Sequence, residues 1–130
     1  MDLATLLAGM RPHLSQTAFA FAIVASPDEI PPGTTIIGTF VEEEGLTIVG
    51  PIEELAWGNL ERSGAWAKIS LTVHSSLSAV GLTAKIAGAL ADHGISANVV
   101  AAFFHDHIFV PWDKRHLAMD VLTRLGRTSL

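Results

Sequence analysis

The second half of this chain switches between a period of two and a period of 3.6 in an order that few folds accept. From Trp66 to His74, Trp66, Lys68, Ser70 and Thr72 alternate with Ala67, Ile69, Leu71 and Val73, which reads as a half-buried strand. Over Val80 to Asp92 the residues Leu82, Ile86, Ala89 and Leu90 share one face of a helix, and Gly94 stands where a left-handed cap would end it. Ser96 to Phe104 and His107 to Val110 follow as a hairpin. Asp113 can cap a last helix with Leu117, Val121, Leu122 and Leu125 on one side. The order is β-α-β-β-α. Right-handed crossovers put both helices on one face of an antiparallel-containing sheet, so the fold class expected is α/β, a ferredoxin-like sandwich.

The first half repeats this order in a weaker form. Leu3, Leu6, Leu7 and Met10 predict a short opening helix, capped by Asp2 and ended by Pro12. A strand is expected over Phe19 to Ala25. A loop follows through Ser26-Pro27-Asp28 and Pro31-Pro32-Gly33, where the second half has its helix. Thr35 to Val41 and Leu46 to Val49 should pair across the acidic turn Glu42 to Gly45. Pro51 suits a first helical position, with Glu53 and Glu54 near the positive end of the helix and Gly58-Asn59 as its stop. Phe40 to Pro51 and Phe103 to Pro111 thus run strand, turn, strand, proline, a likeness of pattern more than of identity. The implied division is residues 1–62 and 63–130, joined near Glu61-Arg62-Ser63-Gly64.

Several classes of function are excluded by what the chain lacks. With 49% hydrophobic and 16% charged residues it can bury a core, so disorder is not expected. A formal charge of −5, with the eight basic residues scattered, is wrong for a nucleic-acid partner. No cysteine is present, which removes disulfides, thiol nucleophiles and iron–sulfur ligation. No apolar run is long enough for a bilayer, and Met1-Asp2-Leu3 places an acid where a signal peptide is positive, so no membrane and a cytoplasmic location are expected. Walker, Gly-x-Gly-x-x-Gly and Gly-x-Ser-x-Gly motifs are all missing, so neither an enzyme nor a cofactor is expected.

One run points to self-association. Val99, Val100, Ala101, Ala102, Phe103 and Phe104 are apolar at every position, and a strand of that kind wants cover on both faces. Helices supply one face only. A tight pairing of the two halves, and a homodimer, are therefore expected.

The segments Val73 to Ala84, Gly94 to Val100 and His105 to Pro111, with the opening Leu6-Leu7-Ala8-Gly9-Met10-Arg11-Pro12, resemble an ACT-like family of short bacterial tandem-ACT chains. The likeness is densest from Lys68 to Pro111. More distantly, the chain is similar to the ACT pairs of aspartate kinases and of arginine-sensing proteins. The resemblance implies a βαββα ACT unit preceded by a degenerate ACT-like half, acting as a regulatory module. It also implies an amino acid held between adjacent units, where the loop after the first strand meets strands of the neighbour. On this sequence the ligand-binding residues so implied are Ser75, Ser76, Val80, Gly81 and Leu82, with Asn98 on the facing strand. The usual Asp-x-Pro-Gly of that loop is here the longer Ser75-Ser76-Leu77-Ser78-Ala79-Val80-Gly81. A helix N-terminus with free N–H groups suits a carboxylate, and Gly81 permits close approach; serines and a glycine there also serve as plain caps and turns.

His105-Asp106-His107 suggests metal, with His74 as a third ligand, but the same spacing fits a polar hairpin tip. If extended, His105 and His107 point one way and Asp106 the other. His93 before Gly94 suits a helix C-terminus. A protein-interaction module without a small ligand remains the other reading of the chain.

Overall fold

The computed structural model describes residues 3–72 and 81–128. Its helices are α1 (Leu3–Gly9), α2 (Leu82–Asp92) and α3 (Arg115–Thr128). Its strands are β1 (Pro12–Val24), β2 (Gly38–Glu42), β3 (Gly45–Pro51), β4 (Glu61–Leu71), β5 (Asn98–Ala101) and β6 (Asp106–Pro111). The hydrogen-bonded strand order is β2-β3-β1-β4-β6-β5. No helix among the described residues is long and apolar enough to cross a membrane.

The residues form two compact units, one of Met1–Gln16 with Ala67–Leu130 and one of Thr17–Trp66. In the first, the strand order is β1-β4-β6-β5, with α2 crossing between β4 and β5 and α3 following β6. Counting from β4, that order is fourth, first, third, second, the ferredoxin-like arrangement. The fourth place is filled by the start of β1, where the Thr72 N–H donates to the Arg11 carbonyl at 3.1 Å. In the second unit the order β2-β3-β1-β4 is the same arrangement counted from β1, with the first residues of β4 in fourth place. This division by packing and the division at 62/63 along the chain describe different things: which residues lie together, and in what order the repeats are written.

Each unit has its own core. In the first, Ala67, Ile69 and Leu71 of β4, Ile108 and Val110 of β6, Ile86 and Leu90 of α2, and Ala118 and Leu122 of α3 are fully buried. Ala67, Ile69, Leu71, Ile86, Leu90 and Leu122 are positions read from the sequence, whereas Ala118 is not, and Leu117, expected on the inner side of the last helix, is exposed. In the second, Ala20, Ala22 and Val24 of β1 join Ile48 and Leu55. The described residues of this unit contain no α-helix.

The structure departs from the sequence reading at several elements. β1 starts at Pro12 rather than Phe19, because His13-Leu14-Ser15-Gln16 offers one apolar residue to the core and little to mark a strand. Glu61 to Gly64, read as a connection, are the first residues of β4. Pro51 ends β3, opposite Phe19, and only a four-residue 3₁₀ turn, Ile52–Leu55, follows where a helix was expected. Pro111 behaves alike: its backbone at φ −54°, ψ 137° matches the −55°, 131° of Pro51, and a 3₁₀ turn of Trp112–Lys114 precedes α3. Asp113 lies in that turn and caps nothing. The apolar run beginning at Val99 is not a doubly covered strand. β5 stops at Ala101, the Ala102 N–H closes a turn on the His105 carbonyl, and Phe103 and Phe104 are 76% and 63% exposed at its tip.

Burial sets the first expectation. Ile86→Ala, emptying a fully buried site on α2, should cost about 2–5 kcal/mol in urea unfolding. Lys85→Ala, exposed beside it, should stay within about 0.5 kcal/mol of wild type.

Candidate functional site

The loop implied by the resemblance falls at the end of β4. Ser75, Ser76 and Val80, like His74, lie outside the described residues; Gly81 and Leu82 lie within them. Gly81 is the N-cap of α2 at φ 90°, a left-handed conformation that side chains rarely adopt. A Cβ there would also sit 3.3 Å from Leu3 Cδ2 of α1. Gly81 supplies no side-chain cap, and its carbonyl accepts only from the Lys85 N–H at 3.0 Å. The first N–H groups of α2 therefore gain nothing from the N-cap residue itself. Leu82 is buried in the core, where it anchors the helix and does not face a ligand.

Asp106 is the only buried charged residue among the described ones, at 7% exposure. It shares the alternation of Ile108 and Val110, so it lies on the helix-covered face. The Ser70 Oγ···His107 Nδ1 hydrogen bond, 2.7 Å, sets this end of β6 beside the end of β4 that leads toward α2. α2 then runs back to Asn98, which pairs with Phe109 three residues along β6. Asp106 and the α2 N-terminus thus share one end of this unit. Among the described residues no cation pairs with Asp106, an unusual state for a buried carboxylate. The alternation in His105-Asp106-His107 already assigned Asp106 the opposite side from its neighbours; its burial was the part a hairpin-tip reading concealed.

Asn98 is at the other end. It is exposed on β5, opposite in alternation to Val99, which packs on the core, so it lies on the face away from the helices. α2 spans about 16 Å at 1.5 Å per residue, which separates Asn98 from Gly81 within one chain.

The histidines take separate roles. His93 is the C-cap of α2, its Nδ1 2.9 Å from the Ala89 carbonyl. His107 faces the uncovered side of the sheet with Ser70. Its pKa is lowered, chiefly by burial, then by Lys68 and His105, with Asp106 opposing. The Nδ1 of His105 is buried without a partner among the described residues. No three of His, Asp and Glu gather to hold a metal among the described residues. Trp112 stacks under the Arg115 guanidinium at 3.9 Å, and Trp66 meets Phe21 edge to face at 6.3 Å, so both serve as packing groups.

Two ferredoxin-like strand orders sharing β1 and β4 define a small paired α/β domain. Two ACT-domain models match the sequence, over residues 1–56 and 61–124, and the chain belongs to the ACT-domain family. It is similar to a protein of unknown function from Vibrio cholerae, described as a possible transport protein. The two are 42% identical over 96% of each chain, with a TM-score of 0.85. The regulatory subunit of aspartate kinase from Thermus thermophilus shares the fold at 13% identity, over 88% of this chain and 95% of that one, with a TM-score of 0.65. Clostridium acetobutylicum aspartate kinase does so at 11% identity over 88% of this chain and 34% of its own, TM-score 0.69. No curated protein matches. ACT domains are regulatory, non-catalytic modules that typically bind amino acids.

The lowered His107 pKa fixes the sign of a pH effect. Below about pH 6.5 the unfolded chain takes up this proton before the folded one, so the contribution is full above that pH and is lost as pH falls toward the folded value. Urea unfolding of wild type and His107→Gln between pH 7.5 and about 5 should show stability falling more steeply with acid in wild type.

Proposed function

We propose that this chain is a regulatory sensor for a free α-amino acid, with the ligand at the α2 N-terminus of the second repeat. The ligand carboxylate is received by the free N–H groups there and by the Ser75–Gly81 segment, and its ammonium by Asp106. The observation that carries this is the buried carboxylate of Asp106, lacking a cationic partner among the described residues at the end of the unit where α2 starts. A zwitterion carries both a cation for a buried carboxylate and an anion for a helix N-terminus. The repeats written as 1–62 and 63–130 then divide the work, the first lacking the helix on which such a site depends.

A second copy of the chain is proposed to pair along β5, and Asn98, on the face away from the helices, belongs to that pairing and not to the site at Asp106. Its place on the outer face of β5, an end strand of the hydrogen-bonded order, supports this, as does the 45% exposure of Val100 beside it. An end strand with no Pro and no charge, Asn98-Val99-Val100-Ala101, invites pairing with its own copy in antiparallel register. Sedimentation velocity should find a dimer for wild type and a monomer for Val100→Lys. A monomeric wild type would overturn that pairing.

A second reading is favoured by the exposed Phe40 and Val41 of β2 and Phe103 and Phe104 beyond β5, which would suit a protein partner without a small ligand. Thermal shift against the twenty amino acids decides between them. At 100 times its dissociation constant a ligand adds about 2.7 kcal/mol, so a selective rise is easily read. The sensor reading expects one, abolished in Asp106→Asn while the unliganded variant still melts cooperatively. A flat screen supports the interaction module.

A further inference from the structure

A cavity of about 340 Å³ opens in the first unit between the α1–β1 connection and the end of α3, and neither Asp106 nor any residue of α2 lines it. It is lined by Ala8, Met10, Arg11, Pro12, Thr123, Gly126 and Arg127. In a chain with thirteen acids against eight basic residues, this wall carries two guanidinium groups and no acid. Arg11 spends one nitrogen, Nη1, on the Ala8 and Met10 carbonyls at 3.2 and 3.1 Å, which holds the side chain at the rim. Its Nη2 and Nε donors have no partner among the described residues. Arg127, in the last turn of α3, makes no hydrogen bond or ion pair among the described residues. The Thr123 hydroxyl donates to the Met119 carbonyl at 2.8 Å and leaves its methyl to the wall. Ala8, Met10 and Pro12 add apolar residues to the same lining.

We infer that this cavity is a second binding site, for a small organic anion with a carboxylate head and a short apolar body. Two arginines in one apolar-lined cavity suit a carboxylate's paired oxygens, which a single ammonium would not match as well. The volume falls at the lower end of the roughly 300–1,000 Å³ typical of small-molecule sites. Both arginines also lie near helix C-termini, where a cation is favourable without any ligand. The distinction is that such a cation needs no anion, whereas the site takes one saturably.

The test is a ¹⁵N-resolved NMR titration of the full chain with sodium propionate, against sodium chloride at matched ionic strength. Saturable shifts at the Thr123, Gly126 and Arg127 amides are expected with propionate and not with chloride. Arg127→Gln, an exposed change that leaves the core intact, should weaken the apparent affinity at least tenfold, about 1.4 kcal/mol. Arg127→Lys should keep part of the binding, since it keeps the charge without the fork. Linear shifts shared by both salts, or unchanged binding in Arg127→Gln, overturn the site and assign the arginines to the helix ends. Asp106→Asn should leave propionate binding intact, so failure here and failure of the amino-acid reading are separable.

Discussion

The whole arrangement depends on two strands that each serve twice. β1 is the first strand of one compact unit and, through its opening residues, the fourth of the other; β4 does the reverse. Alternation makes this workable. In β1, Leu14 packs on the core of the first unit, and Ala20, Ala22 and Val24, on one side of the strand, enter the core of the second. In β4, Ala67, Ile69 and Leu71 likewise keep one side. A slip of one residue in either strand would turn these residues outward.

This sharing explains what the sequence disclosed and what it hid. The helix-covered unit was legible because Ile69, Leu71, Ile86, Leu90, Ile108 and Leu122 are large, apolar and correctly spaced. The double use of β1 and β4 was not legible. His13 to Gln16 and Glu61 to Gly64 are polar, and their pairing depends on partners distant in sequence, which no local pattern reports. Pro51 was ambiguous for a similar reason: a proline before two acids suits a helix start, yet a strand ladder reaching Phe19 held it extended. The apolar run to Phe104 was read as strand throughout, when a turn closed by Ala102 and His105 ends pairing at Ala101.

The candidate site was legible to a lesser degree. Gly81 is the N-cap of α2, and its positive φ supplies a physical reason for glycine at that position. Asp106 was hidden between two histidines that drew attention as ligands. In the structure His107 serves the sheet's other face through its bond to Ser70. Burial, which depends on how α2 and β6 meet, is what distinguishes the carboxylate from a solvated turn residue.

The central claim, that the α2 N-terminus and Asp106 receive an amino acid, is tested most directly by hydrogen exchange with mass spectrometry. The purified chain would be followed with and without a saturating mixture of the twenty amino acids. The account predicts slowed exchange in peptides carrying Gly81 to Ala84 and Asp106 to Ile108, with peptides from β2 and β3 unchanged. Identical exchange at both segments in the presence and absence of the mixture would contradict it.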